Sequence, residues 1–465
     1  MIGAQGTVAT IALLLILPFT LFLFASKRPG RAAALAAFGV VLFAPEIAYF
    51  KLPSLPQFTK ENIPYFCIVL GALMQAPRLI LRGRFGFGPE VLALISLVGT
   101  MFTANGNKDV LVYGSYITMV LPGMSLKDGL AMGMSDVFNL GVPFFVGRAL
   151  FKTSKDLEDL VRVIVGYGVF YCIFIAVELR LSPQMHPWVY GYAGHQDFLQ
   201  VLRWGGYRPV VFMTHGLALA LMMLHVTVLA TALAKVKISV WKVLKPKTLA
   251  AALFVVLILC KSTGAILYGL MVVPLVWIGR IKTQLRFATL VGALTLLYPA
   301  LQAADLVPIQ SMLAVAEFIS PARAESLSFR FENEEVLLEK ARERVLFGWG
   351  SYGRNSLYDS EMGKRISVTD GQWIILLGTR GVVGLLCAFC LALYPIYLLR
   401  KRLRLISDRK DQILLMALGL MITMGVADLI PNGLFNNYPY FVAGAVTGIV
   451  KYLSSAKGRA EAVNP

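Results

Sequence analysis

Residues 330–355, RFENEEVLLEKARERVLFGWGSYGRN, and residues 367–386, SVTDGQWIILLGTRGVVGLL, place a charge-dense segment, a glycine-aromatic turn and an apolar run in succession. In the first stretch Phe331, Glu335, Leu338, Arg342 and Val345 recur at helical spacing. They predict a helix whose stripe lies on the outer membrane-water boundary or caps a bundle. Gly348, Gly350 and Gly353 end that helix. In the second stretch a carboxylate, Asp370, stands at the mouth of a hydrophobic span.

Working outward, the rest of the chain reads as membrane. Of its 465 residues 57% are apolar and only 15% are charged, and repeated apolar runs are long enough to cross a bilayer. The expected fold is all-α: one polytopic helical bundle over residues 1–465. Spans are expected at 8–26, 32–50, 63–81, 88–104, 128–148, 160–179, 209–233, 248–261, 264–279, 287–303, 372–399, 412–430 and 437–452. The expected total is therefore about 12–14 spans. All five cysteines fall inside these spans, so they read as small packing residues rather than disulfides or a redox pair. The four histidines have no metal-ligand spacing, and neither a metal nor a cofactor is expected.

Basic residues set the expected orientation. Alternate connections carry Lys27, Arg28 and Arg31; Arg78, Arg82 and Arg84; Arg148 and Lys152; Lys235 and Lys237; Arg280 and Lys282; and Arg400, Lys401 and Arg402. That set belongs in the cytoplasm, which puts the N-terminus outside and the C-terminal tail, with Lys451, Lys457 and Arg459, inside. The net charge of +18 then follows from topology, and no nucleic-acid partner is needed to explain it. Asn355 and Tyr190 are expected outside, and Asp408 inside.

Two outer connections are larger than connectors need to be. Residues 304–370 hold eleven acidic and eight basic residues and are expected to be partly helical. Residues 180–208 are rich in rings, with Trp188, Tyr190, Tyr192, Phe198, Trp204 and Tyr207 interleaved with His186, His195, Arg203 and Arg208. Aromatic faces flanked by hydrogen-bonding groups suit sugar rings, and an interfacial aromatic belt has the same composition; both readings stay open. A tight turn, Lys261-Ser262-Thr263-Gly264, joins two spans, and its lysine serves equally well as a snorkelling surface residue.

Arg208, Lys261, Arg330 and Asp370 all fall next to outer span ends, so a bundle can bring them to one level. Guanidinium groups there would take the oxygens of a diphosphate head group, and a carboxylate beside them would take a proton from an attacking hydroxyl.

These residues also carry a resemblance. Arg330 leading to Phe347-Gly348-Trp349-Gly350-Ser351-Tyr352-Gly353 resembles the signature region of the bacterial O-antigen ligase and Wzy-type polysaccharide polymerase superfamily. So does Asp370 followed by Gly381 and Gly384 and then Leu385-Leu386. Arg208-Pro209 to His215-Gly216 is similar to an upstream arginine motif of that superfamily, and Lys261-Ser262-Thr263-Gly264 echoes another loosely. Two departures stand out: Asp370 occupies the place of the ligase histidine, and Lys261 lies near that of an arginine. An aspartate at this position is the polymerase form of the pattern.

The resemblance implies a metal-independent, GT-C-like glycosyltransferase of the bacterial inner membrane, with its active face periplasmic. It would polymerise polyprenyl-diphosphate-linked oligosaccharide repeat units. The alternatives are an O-antigen ligase acting on lipid A-core and, from another class, a lipid-linked oligosaccharide flippase. In this scheme Asp370 is the base, and Arg208, Arg330 and Lys261 hold the diphosphate. Trp204, Tyr207, His215 and Arg203 contact glycan. The partners implied are lipid-linked donor and acceptor, membrane lipid and other polysaccharide assembly proteins.

The aromatic loop gives a direct test. Trp204→Ala or Tyr207→Ala is expected to weaken acceptor use by roughly 1–3 kcal/mol at unchanged protein abundance, measured as transfer to a lipid-linked acceptor. A matching loss of folded protein would instead assign the rings to the interfacial belt.

Overall fold

The computed structural model describes residues 2–3, 6–51, 55–194, 198–241, 244–433 and 436–455. His195 lies outside them, and the side chain of Phe198 is likewise not described. The helices in chain order are α1 (Thr7–Ser26), α2 (Pro29–Phe43), α3 (Ile63–Gln75), α4 (Pro77–Gly83), α5 (Val91–Asn105), α6 (Leu126–Asp136), α7 (Val142–Leu150), α8 (Ser154–Leu181) and α9 (Met185–Tyr190). They continue with α10 (Gly216–Lys235), α11 (Pro246–Leu259), α12 (Thr263–Trp277), α13 (Ile281–Ala303), α14 (Ile309–Ile319), α15 (Pro321–Arg342), α16 (Gln372–Arg402), α17 (Arg409–Ala427) and α18 (Tyr438–Leu453). Three small antiparallel sheets, β1 (Ile2–Gly3) with β2 (Tyr49–Phe50) and β3 (Phe58–Thr59), β4 (Leu111–Tyr113) with β5 (Met119–Leu121), and β6 (Leu202–Arg203) with β7 (Gly206–Tyr207), lie in the connections.

The protein is a multi-pass membrane protein. Each of the thirteen apolar segments contains a helix, and seven helices among the described residues are long and apolar enough to cross a bilayer. An eighth is the pair α3–α4 taken together, bent by 118° where Pro77 follows Ala76. The helices α2, α5, α11 and α12 are shorter apolar elements. Two expected segments begin or end differently. The 32–50 segment leaves the helix at Phe43 for a strand, and the 209–233 segment is helical only from Gly216. Residues 209–215 are not helical because buried Glu178 takes the amides of Val210 and Val211, each at 2.8 Å, which an α-helix would direct to its own carbonyls.

Side chains sort the helix ends into two sets. Lys60 pairs with Glu46 and donates to the Phe212 carbonyl at 2.8 Å, and Arg354 donates to the carbonyls of Asp109 (2.8 Å) and Pro122 (3.0 Å), tying connections together. At the opposite ends Arg28 pairs with Asp159, Arg148 donates to Glu90 at 3.0 Å, and Ser154 donates to Asp411. Buried ion pairs at both ends leave the apolar helical middles to face lipid and one another, as a bundle in hydrocarbon requires.

The 304–370 connection is helical over α14 and α15, and its stripe differs from the expected one. Phe331, Glu334, Leu337, Leu338 and Ala341 are buried, while Glu335, Arg342 and Val345 are exposed. The spacing is helical as expected, with its phase shifted by one residue because Glu334 finds buried partners and Val345 lies beyond the helix end.

The largest departure concerns α16, expected as a continuous span. Gly381 adopts φ 65°, breaking the helix, and residues 345–350 run into the break. Trp349 N donates to Gly378 O at 2.7 Å and Gly350 N to Thr379 O at 3.0 Å. In return Val382 N donates to Val345 O at 2.8 Å and Val383 N to Leu346 O at 3.3 Å. A side chain at Gly348 would put its Cβ 2.6 Å from the Gly381 nitrogen, so backbone meets backbone here with no room for anything else. The turn read as a surface punctuation mark is therefore part of the bundle. Asp136 fastens the half of α16 that precedes the break: its two carboxylate oxygens each accept from Arg380 Nε at 2.8 Å, and Ser96 Oγ donates to it at 2.6 Å.

Asn355 and Tyr190 are both buried, so exposed neighbours report topology better. Single cysteines at Glu361 and Trp188 are expected to react with an impermeant thiol reagent from outside, and one at Asp408 only after permeabilisation. Labelling of position 408 in intact spheroplasts would invert the orientation.

Candidate functional site

Arg330 and Asp370 meet. Arg330 sits near the middle of α15, on the face turned to the start of α16, and its Nε lies 3.3 Å from Asp370 Oδ2. Its Nη1 donates to the Pro431 carbonyl at 3.2 Å, so the guanidinium links α15, the α16 entrance and the connection between α17 and α18. Both side chains keep about a third of their surface exposed, 33% and 35%, which leaves the pair open to an incoming group. Asp at this position could serve as a helix cap. The cap position is instead Gly371, with no side-chain cap bond, and the Asp370 carboxylate faces Arg330.

A second carboxylate lies behind this pair. Glu334, one turn along α15, is buried and accepts from Tyr298 Oη at 3.0 Å and Trp373 Nε1 at 3.1 Å. Burial raises its pKa above the ordinary carboxylate range, and Asp370 adds to the rise. The two donors and Arg330 oppose it. Sequence reasoning missed Glu334 because it is one of several acids on α15. The available signal was its phase: it shares a helical face with Phe331 and Leu338, where an exposed glutamate does not belong.

The aromatic turn packs nearby. The Trp349 ring lies between Lys340 Nζ, 3.7 Å from its centroid, and the Arg344 guanidinium at 4.3 Å, while its Nε1 donates to the Lys340 carbonyl at 2.7 Å. Phe347 stacks on Phe102 at 5.1 Å between centroids. These contacts anchor the C-terminal end of α15, about three turns beyond Arg330.

Arg208 and Lys261 form a separate group. Arg208 is buried and donates to the Lys261 carbonyl at 3.0 Å, and its Nε has no partner among the described residues. Burial, and then Arg203, pushes its pKa down to about 10, which still leaves it charged at neutral pH. Lys261 holds a left-handed conformation, φ 52°, and its Nζ donates to the Arg203 carbonyl at 3.1 Å, bracing the β6–β7 hairpin. Among the described residues no hydrogen bond or ion pair joins Arg208 or Lys261 to Arg330 or Asp370. The four charges therefore form two pairs rather than one contiguous cluster.

The expected glycan contacts divide similarly. Trp204 is 54% exposed at the hairpin turn, and Arg203 is exposed beside it. Tyr207 is half-buried. His215 caps α10 by accepting from Leu217 N at 3.0 Å, and its Nε2 lies 2.8 Å from Gln200 Oε1. His186, Tyr190 and Tyr192 are packing residues. Tyr192 Oη donates to the Glu46 carbonyl at 2.6 Å, and His186 Nε2 accepts the Glu46 amide at 3.1 Å. Part of the aromatic loop is thus fold rather than site.

If the two arginines grip an anion through paired donors, Arg330→Lys and Arg208→Lys are expected to lose most activity although charge is kept, because an ammonium cannot reproduce the planar fork. Lys261→Ala is expected to lose less. Rates of lipid-linked glycan consumption decide it: two fully active lysine variants would leave the arginines as structural ties.

No protein-family profile matches the chain, and no curated protein matches it.

Proposed function

We propose that the chain is a membrane glycosyltransferase of the polysaccharide polymerase type, GT-C-like in architecture. It would sit in the bacterial inner membrane with about 12–14 spans and its active face toward the periplasm. The substrates are polyprenyl-diphosphate-linked glycans, one as donor and one as acceptor. The observation that carries the reading is the half-open ion pair of Arg330 with Asp370, at the entrance of α16 and braced from behind by Glu334.

In this reading Arg330 pairs with Asp370 before substrate binds. A donor diphosphate competes for the guanidinium, because its oxygens match the fork better than a single carboxylate oxygen at 3.3 Å does. The released carboxylate accepts the proton of the acceptor hydroxyl as its oxygen attacks the anomeric carbon. The bond from that carbon to the diphosphate breaks, and the leaving oxygen keeps the electron pair beside Arg330. Arg208, with one nitrogen unpartnered, supplies a second fixed cation at the outer ends of the helices. Because lipid tails hold both substrates in the same leaflet, their encounter is confined to two dimensions, and orientation contributes much of the rate.

Asp370→Asn keeps the shape and removes the basicity. It is expected to lower polymer formation by about 10²–10⁴-fold while the protein inserts and folds normally. The assay is purified protein with lipid-linked repeat units, run with and without EDTA. Full polymer from the Asn variant would end the role of Asp370 as base. Loss of wild-type activity on chelation would replace this scheme with a metal-dependent one.

A further inference from the structure

A second polar site lies inside the bundle. A cavity of about 400 Å³ is lined by Gln57, Glu61, Asn62, Ser135, Asn139 and Asn437, among others, from the connection before α3, the α6–α7 junction and the start of α18. Its volume is within the roughly 300–1,000 Å³ of small-ligand sites. Polar groups in a membrane bundle are costly and mark function more often than packing. The helical path supports this: between α6 and α7 the backbone widens to a π-helical turn, Val137–Gly141, which contains Asn139. Such turns recur at functional sites.

The hydrogen bonds show which atoms are committed. Asn139 Oδ1 accepts from Asn62 Nδ2 at 3.2 Å and Asn437 Nδ2 at 2.9 Å, and Asn139 Nδ2 donates to Ser135 Oγ at 3.0 Å. Asn62 Oδ1 accepts the Thr59 amide, and Glu61 Oε2 accepts the Asn437 amide at 3.1 Å. Among the described residues that leaves the second Glu61 oxygen and Asn437 Oδ1 as acceptors, with the Ser135 hydroxyl and the remaining Asn139 amide proton as donors. A cation requires converging acceptors and a phosphate requires donors or positive charge. This mixture suits hydroxyl groups, each of which donates and accepts.

Charge agrees. Lys60 is turned to Glu46 and the Phe212 carbonyl, so it offers nothing to an anion. Glu61 is half-buried, and desolvation raises its pKa to about 7, with Glu46 adding to the rise and Lys60 opposing it. The pocket is therefore close to neutral. Its neighbour is the Arg330–Asp370 site. Gly433 packs against the Asp370 carbonyl, and four peptide steps separate it from Asn437, so their Cα atoms are no more than about 14 Å apart.

We propose that this pocket binds one uncharged, hydroxyl-rich sugar residue of the glycan substrate, holding it through the free Glu61, Ser135, Asn139 and Asn437 groups. The identification of the ligand as substrate glycan rests on the proposed transferase reading; the donor and acceptor pattern does not.

The test uses full-length protein in nanodiscs on an array of bacterial oligosaccharides tethered at the reducing end, without lipid or diphosphate. Wild type is expected to retain a subset of them. Asn139→Ala, which removes a donor together with the oxygen that joins Asn62 and Asn437, and Ser135→Leu, which fills the cavity at the loss of one bond from Asn139 and keeps the Asn62–Asn139–Asn437 contacts, are each expected to weaken retention about tenfold or more. Thermal unfolding of both variants in the same nanodiscs checks that they fold. Asp370→Asn is expected to bind as wild type does. Binding by wild type without any glycan transfer would sink the transferase reading and leave the pocket standing. No oligosaccharide retained by wild type, or equal retention by folded Ser135→Leu, overturns the pocket. So does binding of sodium-22 that Glu61→Gln abolishes with no sugar retained, because the site would then be a cation site.

Discussion

A helix interrupted within a membrane exposes amides and carbonyls that lipid cannot satisfy, and in this chain residues 345–350 supply the missing partners. Their backbone pairs with residues 378–383 on both sides of Gly381, and the pairing permits no side chain at Gly348. Everything proposed for catalysis depends on that contact. Held against the break, the turn fixes the end of α15, which brings Arg330 to the entrance of α16 where Asp370 waits. The Trp349 ring between two cations and the Phe102 stack add side-chain packing to a joint that the backbone already defines. Loosening the turn would therefore move the arginine and the carboxylate apart without touching either.

The remaining charges obey one rule, that a buried ion has a partner. Asp136 takes Arg380, Glu46 takes Lys60, Glu90 takes Arg148, and Glu178 takes three backbone amides. Breaking any of them strands a charge in a medium that cannot solvate it. Against that background the half-open pair at Arg330 leaves binding capacity unspent, while Arg208 Nε shares its lack of a hydrogen-bond partner among the described residues with Arg162 Nε and Arg354 Nε.

Much of the fold was legible because hydrophobic length is a coarse signal that membranes enforce strictly. All thirteen apolar segments contain helices. What escaped was governed by groups too far apart in the chain for periodicity to report. The bend after Ala76 had a local sign in Pro77, whereas the non-helical run before Gly216 is set by Glu178 on another helix. The break at Gly381 looked like an ordinary glycine in a span, because its cause lies in residues 345–350. At the site, Arg330 and Asp370 lie within ion-pairing distance, and Arg208 is hydrogen-bonded to the Lys261 carbonyl. Glu334 was hidden among neighbouring acids on α15. The amide pocket was invisible because its three asparagines come from distant segments and match no motif.

The joint at Gly381 also bears on how such a chain is made. Its two halves are near neighbours in sequence, so the entropic cost of closing them is small and their contacts are of low contact order. Residues 345–350 precede α16 in the chain and leave the ribosome before it does. The partner is thus in place when α16 arrives. The interrupted helix arrives at a template that spares it from facing lipid with its backbone undone.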